Sequence, residues 1–140
     1  MNVAVVDASV ALAWAMPDEQ GELEAEVLRA HQERRIGLLA PSVWEYEVAN
    51  ALRSAVRRGR VAQDSGYELL ATLLGMGIAF TGFADLSRRA WQLALSGPLT
   101  VYGASYVALA EARGCDLYTC DAKLADAVTD VVNVRLIRSE

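Results

Sequence analysis

Histidine is almost missing from this chain: His31 is the single one in 140 residues. A Ser-His-Asp or Cys-His enzyme would have to use it, yet it lies among charged residues on an expected helix, facing solvent. The composition argues against those nucleophilic classes. Cysteine is scarce as well, with Cys115 and Cys120 alone. They flank an expected strand, about 16 Å apart if extended, which is beyond disulfide reach, and their spacing does not suit a zinc knuckle. No apolar run approaches the ~18 residues of a transmembrane helix. Met1 leads into an apolar stretch without a basic-then-apolar leader, so a cytoplasmic protein with reduced thiols, away from membranes, is expected. Positive charge is in deficit: 13 Lys and Arg against 18 Asp and Glu give a net charge of −5. That excludes a generally basic nucleic-acid coat and leaves room for a local basic face. Apolar residues make up 54% of the chain, enough for one ordinary folded domain spanning residues 1–140.

What is present begins with Val3-Ala4-Val5-Val6, an unbroken apolar run that ends in Asp7. Such a run reads as a strand buried on both faces of a parallel sheet. Asp7 then stands beyond the carboxyl end of that strand, where ligands bind in open α/β sheets. It is equally a preferred N-cap for a helix from Ala8 to Met16, stopped by Pro17. A polar link, Asp18 to Gly21, leads to a helix from Glu22 to Arg34 with Leu23, Val27 and Leu28 inward. Ile36 to Leu39 reads as a short strand closed by Pro41. Ser42 should cap a helix from Val43 to about Arg58, with Glu45 completing a capping box and Trp44, Val48, Ala51, Leu52 and Ala55 inward. Asp64 or Ser65 opens a helix that buries Leu69, Leu70, Leu73 and Leu74. Further elements are expected at Ile78 to Phe80 (strand), Ala84 to Leu95 (helix), Thr100 to Gly114 (helix capped by Thr100), Leu117 to Thr119 (strand), Ala122 to Ala127 (helix) and Val132 to Ile137 (strand). Trp14, Trp44 and Trp91 fall on apolar helix faces. Strands alternating with helices imply an α/β fold with a parallel sheet.

Asp121 repeats the situation of Asp7, following a strand and preceding a helix; capping again competes with chemistry. Glu47 is the third acid of interest. On an ideal helix it lies within roughly 60° of both Trp44 and Ala51, at the margin of the buried face. An acid there needs a hydrogen bond, a cation or an ion pair, for which Arg53 and Arg57 are the nearest candidates. Arg53 and Arg57 share a side of their helix and suit either phosphate positioning or a solvated helix end.

Four stretches in this order, Val5-Val6-Asp7-Ala8-Ser9-Val10, Glu47-Val48-Ala49-Asn50-Ala51-Leu52, Leu99-Thr100-Val101-Tyr102-Gly103-Ala104-Ser105-Tyr106 and Leu117-Tyr118-Thr119-Cys120-Asp121, resemble the PIN domain, in particular the VapC toxins of toxin–antitoxin pairs. The resemblance covers essentially the whole chain. It implies an α/β/α sandwich on a mainly parallel sheet of four to five strands, and acids that hold Mg²⁺ or Mn²⁺ for endonucleolytic cleavage of RNA. It places Asp7, Glu47 and Asp121 on acidic metal and catalytic positions, Ser9 on a small hydroxyl position beside the first acid, and Asn50 on the asparagine of the glutamate-bearing helix. It also implies a short VapB-like antitoxin partner and a homodimer, for which the Leu69 to Leu74 row offers a face. One position departs: Gly103 stands where family members carry an aspartate. Glycine in a first helical turn costs up to ~1 kcal/mol relative to alanine, so helix stability does not explain it. The departure implies weakened cleavage, or a PIN-fold module that binds antitoxin or RNA without cleaving. Asp126 reads as solvent-facing and not as a substitute.

Overall fold

The computed structural model describes residues 2–16 and 21–137. Five strands are described: β1 (Asn2–Val6), β2 (Ile36–Pro41), β3 (Ala79–Thr81), β4 (Asp116–Thr119) and β5 (Val134–Leu136). They pair in parallel throughout, in the order β3-β2-β1-β4-β5. The helices are α1 (Ala8–Ala15), α2 (Glu22–Gln32), α3 (Val43–Arg57), α4 (Gln63–Leu74), α5 (Phe83–Ser96), α6 (Val101–Arg113) and α7 (Ala122–Val128). The winding starts at β1, moves outward to β2 and β3, then returns past β1 to β4 and β5. Right-handed crossovers therefore put α1 to α4 on one face and α5 to α7 on the other. The packing agrees: α1 meets α2 and α3, α3 meets α4, and α5 lies along α6.

The β-branched residues of β1 explain its central place. Val5 and Val6 are fully buried, and Val5 is in register with Leu39 of β2 and Leu117 of β4. Such strands read as continuous apolar runs because both faces are covered. The point where the winding reverses lies between β1 and β4, and it is here that open α/β sheets leave a crevice at their carboxyl edge.

Several local expectations are corrected. Leu23 is 41% exposed, whereas Glu24 is buried, because the Glu24 carboxylate turns back to accept the Gly21 amide at the start of α2. Ser42 already has helical φ/ψ and makes no side-chain cap, and Glu45 is exposed; the expected capping box is absent because the chain passes from Pro41 straight into the helix. In α4, Leu73 is buried, Leu69 and Leu70 are half-buried and Leu74 is exposed. The helix packs against α3, and Leu69 and Leu70 each line an open groove. Trp91 is exposed on α5, not in the core. His31 is half-buried, with Nε2 2.7 Å from the Met76 carbonyl oxygen. The expected stop at Pro17 and the link from Asp18 lie outside the described residues. Among the described residues no helix is long and apolar enough to cross a membrane.

Candidate active site at the β1–β4 crevice

Asp7 is both a cap and a buried acid. Its backbone amide donates to the Tyr118 carbonyl at 3.2 Å, extending the pairing of β1 with β4 by one step. Oδ1 accepts the amides of Ser9 (3.1 Å) and Val10 (3.4 Å), capping α1, and also the Ser9 hydroxyl. Oδ2 accepts the hydroxyl of Thr119, at the end of β4. The two sequence readings of Asp7 are thus compatible. Only 6% of the residue is exposed. Burial pushes its carboxyl above the ordinary aspartate range, while the Ser9 and Thr119 hydroxyls and the two amides pull it back.

Two hydroxyls fasten the β1 end to the β4 end. Ser9 donates to Asp7 and accepts the Cys120 amide at 2.8 Å. Thr119, fully buried, donates to Asp7 and accepts the Asp121 amide at 2.9 Å. Asp121 is exposed and caps α7 through Oδ1, which accepts the amides of Lys123 (3.0 Å) and Leu124 (3.3 Å). One threonine therefore links the first acid to the backbone of the last. Ser9 has its proton directed at Asp7, so its place here is to support that carboxylate rather than to present an open donor to substrate.

Glu47 enters from α3. It is half-buried, and its Oε1 accepts the hydroxyl of Tyr106, a 2%-exposed residue of α6, at 2.6 Å. Burial, and then the Glu47 carboxylate, push the Tyr106 phenol well above its ordinary range, with a further contribution from Asp7. The phenol therefore keeps its proton and stays a donor. Among the described residues no ion pair joins Glu47 to Arg53 or Arg57, so that alternative is not realised. Arg53 and Arg57 are exposed, about 9 and 15 Å of helix rise beyond Glu47. They line a separate groove with Tyr67 and Gln63 of α4. Asn50, one turn after Glu47, is exposed.

Gly103 is in the first turn of α6, where its amide donates to the capping Thr100 hydroxyl at 3.1 Å. A Cβ there would meet Thr100 Oγ1 at 3.7 Å, Leu124 Cδ1 at 3.9 Å and Leu99 Cδ2 at 4.0 Å, all ordinary contacts. Glycine is therefore not required sterically. Leu124 belongs to the helix that Asp121 caps, so a side chain at 103 would be directed toward that end of α7. Asp126 is exposed, as expected.

All-oxygen, acidic donors suit a hard divalent cation. In this conformation, however, among the described residues no three carboxylate, imidazole or thiolate side chains come close enough to hold an ion together. By chemistry Asp7, Glu47 and Asp121 suit such an ion, but in this conformation they are not gathered round one point.

Sequence reasoning missed Thr119 and Tyr106 as site residues. Each is a buried hydroxyl in an apolar setting, Thr119 after Leu117-Tyr118 and Tyr106 before Val107-Ala108-Leu109-Ala110. A buried polar group demands a partner, and that was the available signal.

The family model described as "PIN domain" matches residues 4–129. The chain belongs to the PIN domain family. The match takes in Asp7, Glu47, Gly103 and Asp121 together. Within this PIN family, the chain is 38% identical over 125 residues to Ribonuclease VapC3 of Pyrobaculum aerophilum, covering 87% of this chain and 92% of that one. A solved structure from Pyrobaculum aerophilum superposes with a TM-score of 0.65 at 26% identity, covering 95% of this chain and 83% of the other. A chain in the structure of Rickettsia felis VapBC2 bound to a promoter DNA fragment gives a TM-score of 0.70 at 8% identity, covering 96% and 98%, which speaks to the shared PIN fold.

Proposed function

We propose that this chain is a Mg²⁺- or Mn²⁺-dependent endoribonuclease of the VapC toxin type, acting in the cytoplasm and weakened by Gly103. The observation that carries the reading is the clasp at the winding reversal: Asp7 and the Asp121 backbone are held by the same Thr119 hydroxyl, at the edge where this fold class takes its ligands. Asp7, Glu47 and Asp121 are the acids that would hold the cation. When bound, the cation would lower the pKa of a water and offset charge on the phosphodiester. The chain's own part is positional. Ser9 and Thr119 orient Asp7, capping bonds fix one oxygen of Asp121, and α3 and α6 carry Glu47 to the same crevice. Hydrolysis needs no histidine in this scheme, in keeping with the composition.

RNA as substrate is supported by an aromatic groove on the two helices that carry Glu47 and Gly103. Tyr46, next to Glu47, is 78% exposed, and Tyr102, next to Gly103, is 61% exposed. With Phe83, Ser42 and Ser105 they line one groove. Exposed aromatic rings suit stacking with unpaired bases, worth about 1–3 kcal/mol per base. Asn50, Arg53 and Arg57 extend along α3 on the other side of Glu47 and would contact the RNA backbone. We further propose a VapB-like antitoxin as partner. For a homodimer, the exposed Trp91 and Leu95 of α5 offer a second apolar face besides that of α4. Gly103 favours a second reading, a PIN-fold module that binds RNA or antitoxin without cleaving it.

Cleavage of an end-labelled panel of single-stranded and structured RNAs separates the two. Endonucleolytic products with Mg²⁺ or Mn²⁺ that disappear with chelator and return on re-addition are expected. Binding without products, in this chain and in Gly103→Asp alike, would leave the non-cleaving module.

A further inference from the structure

The buried Tyr106 reaches from α6 to α3 through its one oxygen. Its hydroxyl donates to Glu47 Oε1 of α3 at 2.6 Å, and the backbone amide of Ala8, the residue after Asp7, lies on the same side of the phenol. The ring itself is 2% exposed and sits three residues after Gly103 on α6, so positions 103 and 106 share a helix face. In this chain α6 has no acid to give to the crevice, and what it does give is this phenol.

We propose that Tyr106 is the positioning residue for Glu47: its hydroxyl fixes Oε1 against the start of α1 and leaves Oε2 as the oxygen that faces a cation or its water. This rests on the reading of the crevice as a divalent-cation centre. The physical case is that Glu47 has no ion pair among the described residues, and a glutamate has three rotatable side-chain bonds. Without a fixed donor it would sample several orientations, and ordering it would detract from ion binding. Tyr106 supplies that donor in advance, from a ring immobilised in the core. The phenol also lies beside the start of α1, next to Asp7, so it holds Glu47 on the side of the crevice where Asp7 stands. Loss of such a supporting partner typically lowers metal affinity or activity 10–100-fold.

The test is a double-mutant cycle of the full chain, Tyr106→Phe, Glu47→Gln and both together, read by electron paramagnetic resonance of free Mn²⁺ and, without metal, by urea unfolding. Tyr106→Phe should weaken Mn²⁺ binding about tenfold or more yet have no further effect on it once Glu47 is glutamine. The metal-free unfolding midpoints should be non-additive in the same sense. Unchanged Mn²⁺ affinity in Tyr106→Phe, or losses that simply add, would overturn the proposal while leaving the cation centre in place. No Mn²⁺ binding by the unaltered chain would remove the cation centre and the proposal with it. Should Tyr106→Phe fail to fold, the structure of the unaltered chain with Mn²⁺ decides: contact through one Glu47 oxygen, with Tyr106 still on the other, supports the proposal, and contact through both oxygens overturns it.

Discussion

Asp7→Asn is expected to abolish RNA cleavage and, in the absence of metal, to make the protein more stable. The first effect follows from removing the most enclosed acid of the crevice: at least about a hundredfold loss, above what losing a mere supporting partner costs. The second follows from burial. The Asp7 carboxyl is held above its ordinary value of 3.8, chiefly by desolvation. The folded state thus keeps the proton more readily than the unfolded chain does. Stability therefore falls as pH rises from near 3.8 through the raised folded value, and the deficit persists at neutral pH. Asparagine carries no charge, can still accept the Ser9 and Val10 amides, and can donate to Thr119. Thermal unfolding with chelator present should show Asp7→Asn melting a few degrees higher at pH 7, a change on the order of 1 kcal/mol. The difference should vanish near pH 3, where the aspartate is protonated in both states. A lower melting temperature for the variant at pH 7 would mean that the hydroxyl and amide donors outweigh desolvation.

Gly103→Asp is expected to increase metal-dependent cleavage. Three features of the position agree. A Cβ at 103 meets nothing closer than 3.7 Å, so the side chain has room. The neighbour on α7 is Leu124, in the turn capped by Asp121, so the new carboxylate would join the acids. The residue is also third in α6, where an acid interacts favourably with the helix dipole by about 0.3–1 kcal/mol. Without metal that gain is opposed by repulsion from Asp7 and Asp121, and little net change in melting temperature should appear. With Mn²⁺ the variant should bind about 10–100-fold more tightly, visible as a larger metal-induced rise in melting temperature. Expression without an antitoxin should become harmful to the cell. Equal cleavage by both forms, lost in each with Asp7→Asn, would show that three acids suffice.

The parallel α/β architecture was legible because β-branched runs and capped helices alternate along the chain. Asp7 and Asp121 could be placed at strand ends on the same grounds. What periodicity could not supply was strand order. The β4 strand is fourth in the chain yet pairs with β1, and only that crossing brings Asp121 to Asp7. Both aspartates do cap the helices that follow them, and capping does not exclude a place at the crevice, since an N-cap at the carboxyl edge of a parallel sheet already stands there. Surface against core was misjudged where a helix has few neighbours: Trp91 and Leu74 lie on faces that none of the described residues covers. Ser42 looked like a cap, but its backbone is already helical. Thr119 and Tyr106 escaped notice because their hydroxyl partners are 112 and 59 residues away in sequence. The Arg53 and Arg57 pair was correctly placed on α3, yet it lines a groove apart from the acids.

The proposed function stands or falls with a divalent cation in the crevice between β1 and β4. Crystals soaked in Mn²⁺ and measured at the manganese absorption edge test it directly. An anomalous peak is expected within coordination distance, about 2.1–2.2 Å, of carboxylate oxygens of Asp7 and at least one of Glu47 and Asp121, absent in Asp7→Asn crystals. A manganese peak elsewhere on the molecule with none in the crevice, in this chain and in Gly103→Asp, would contradict it.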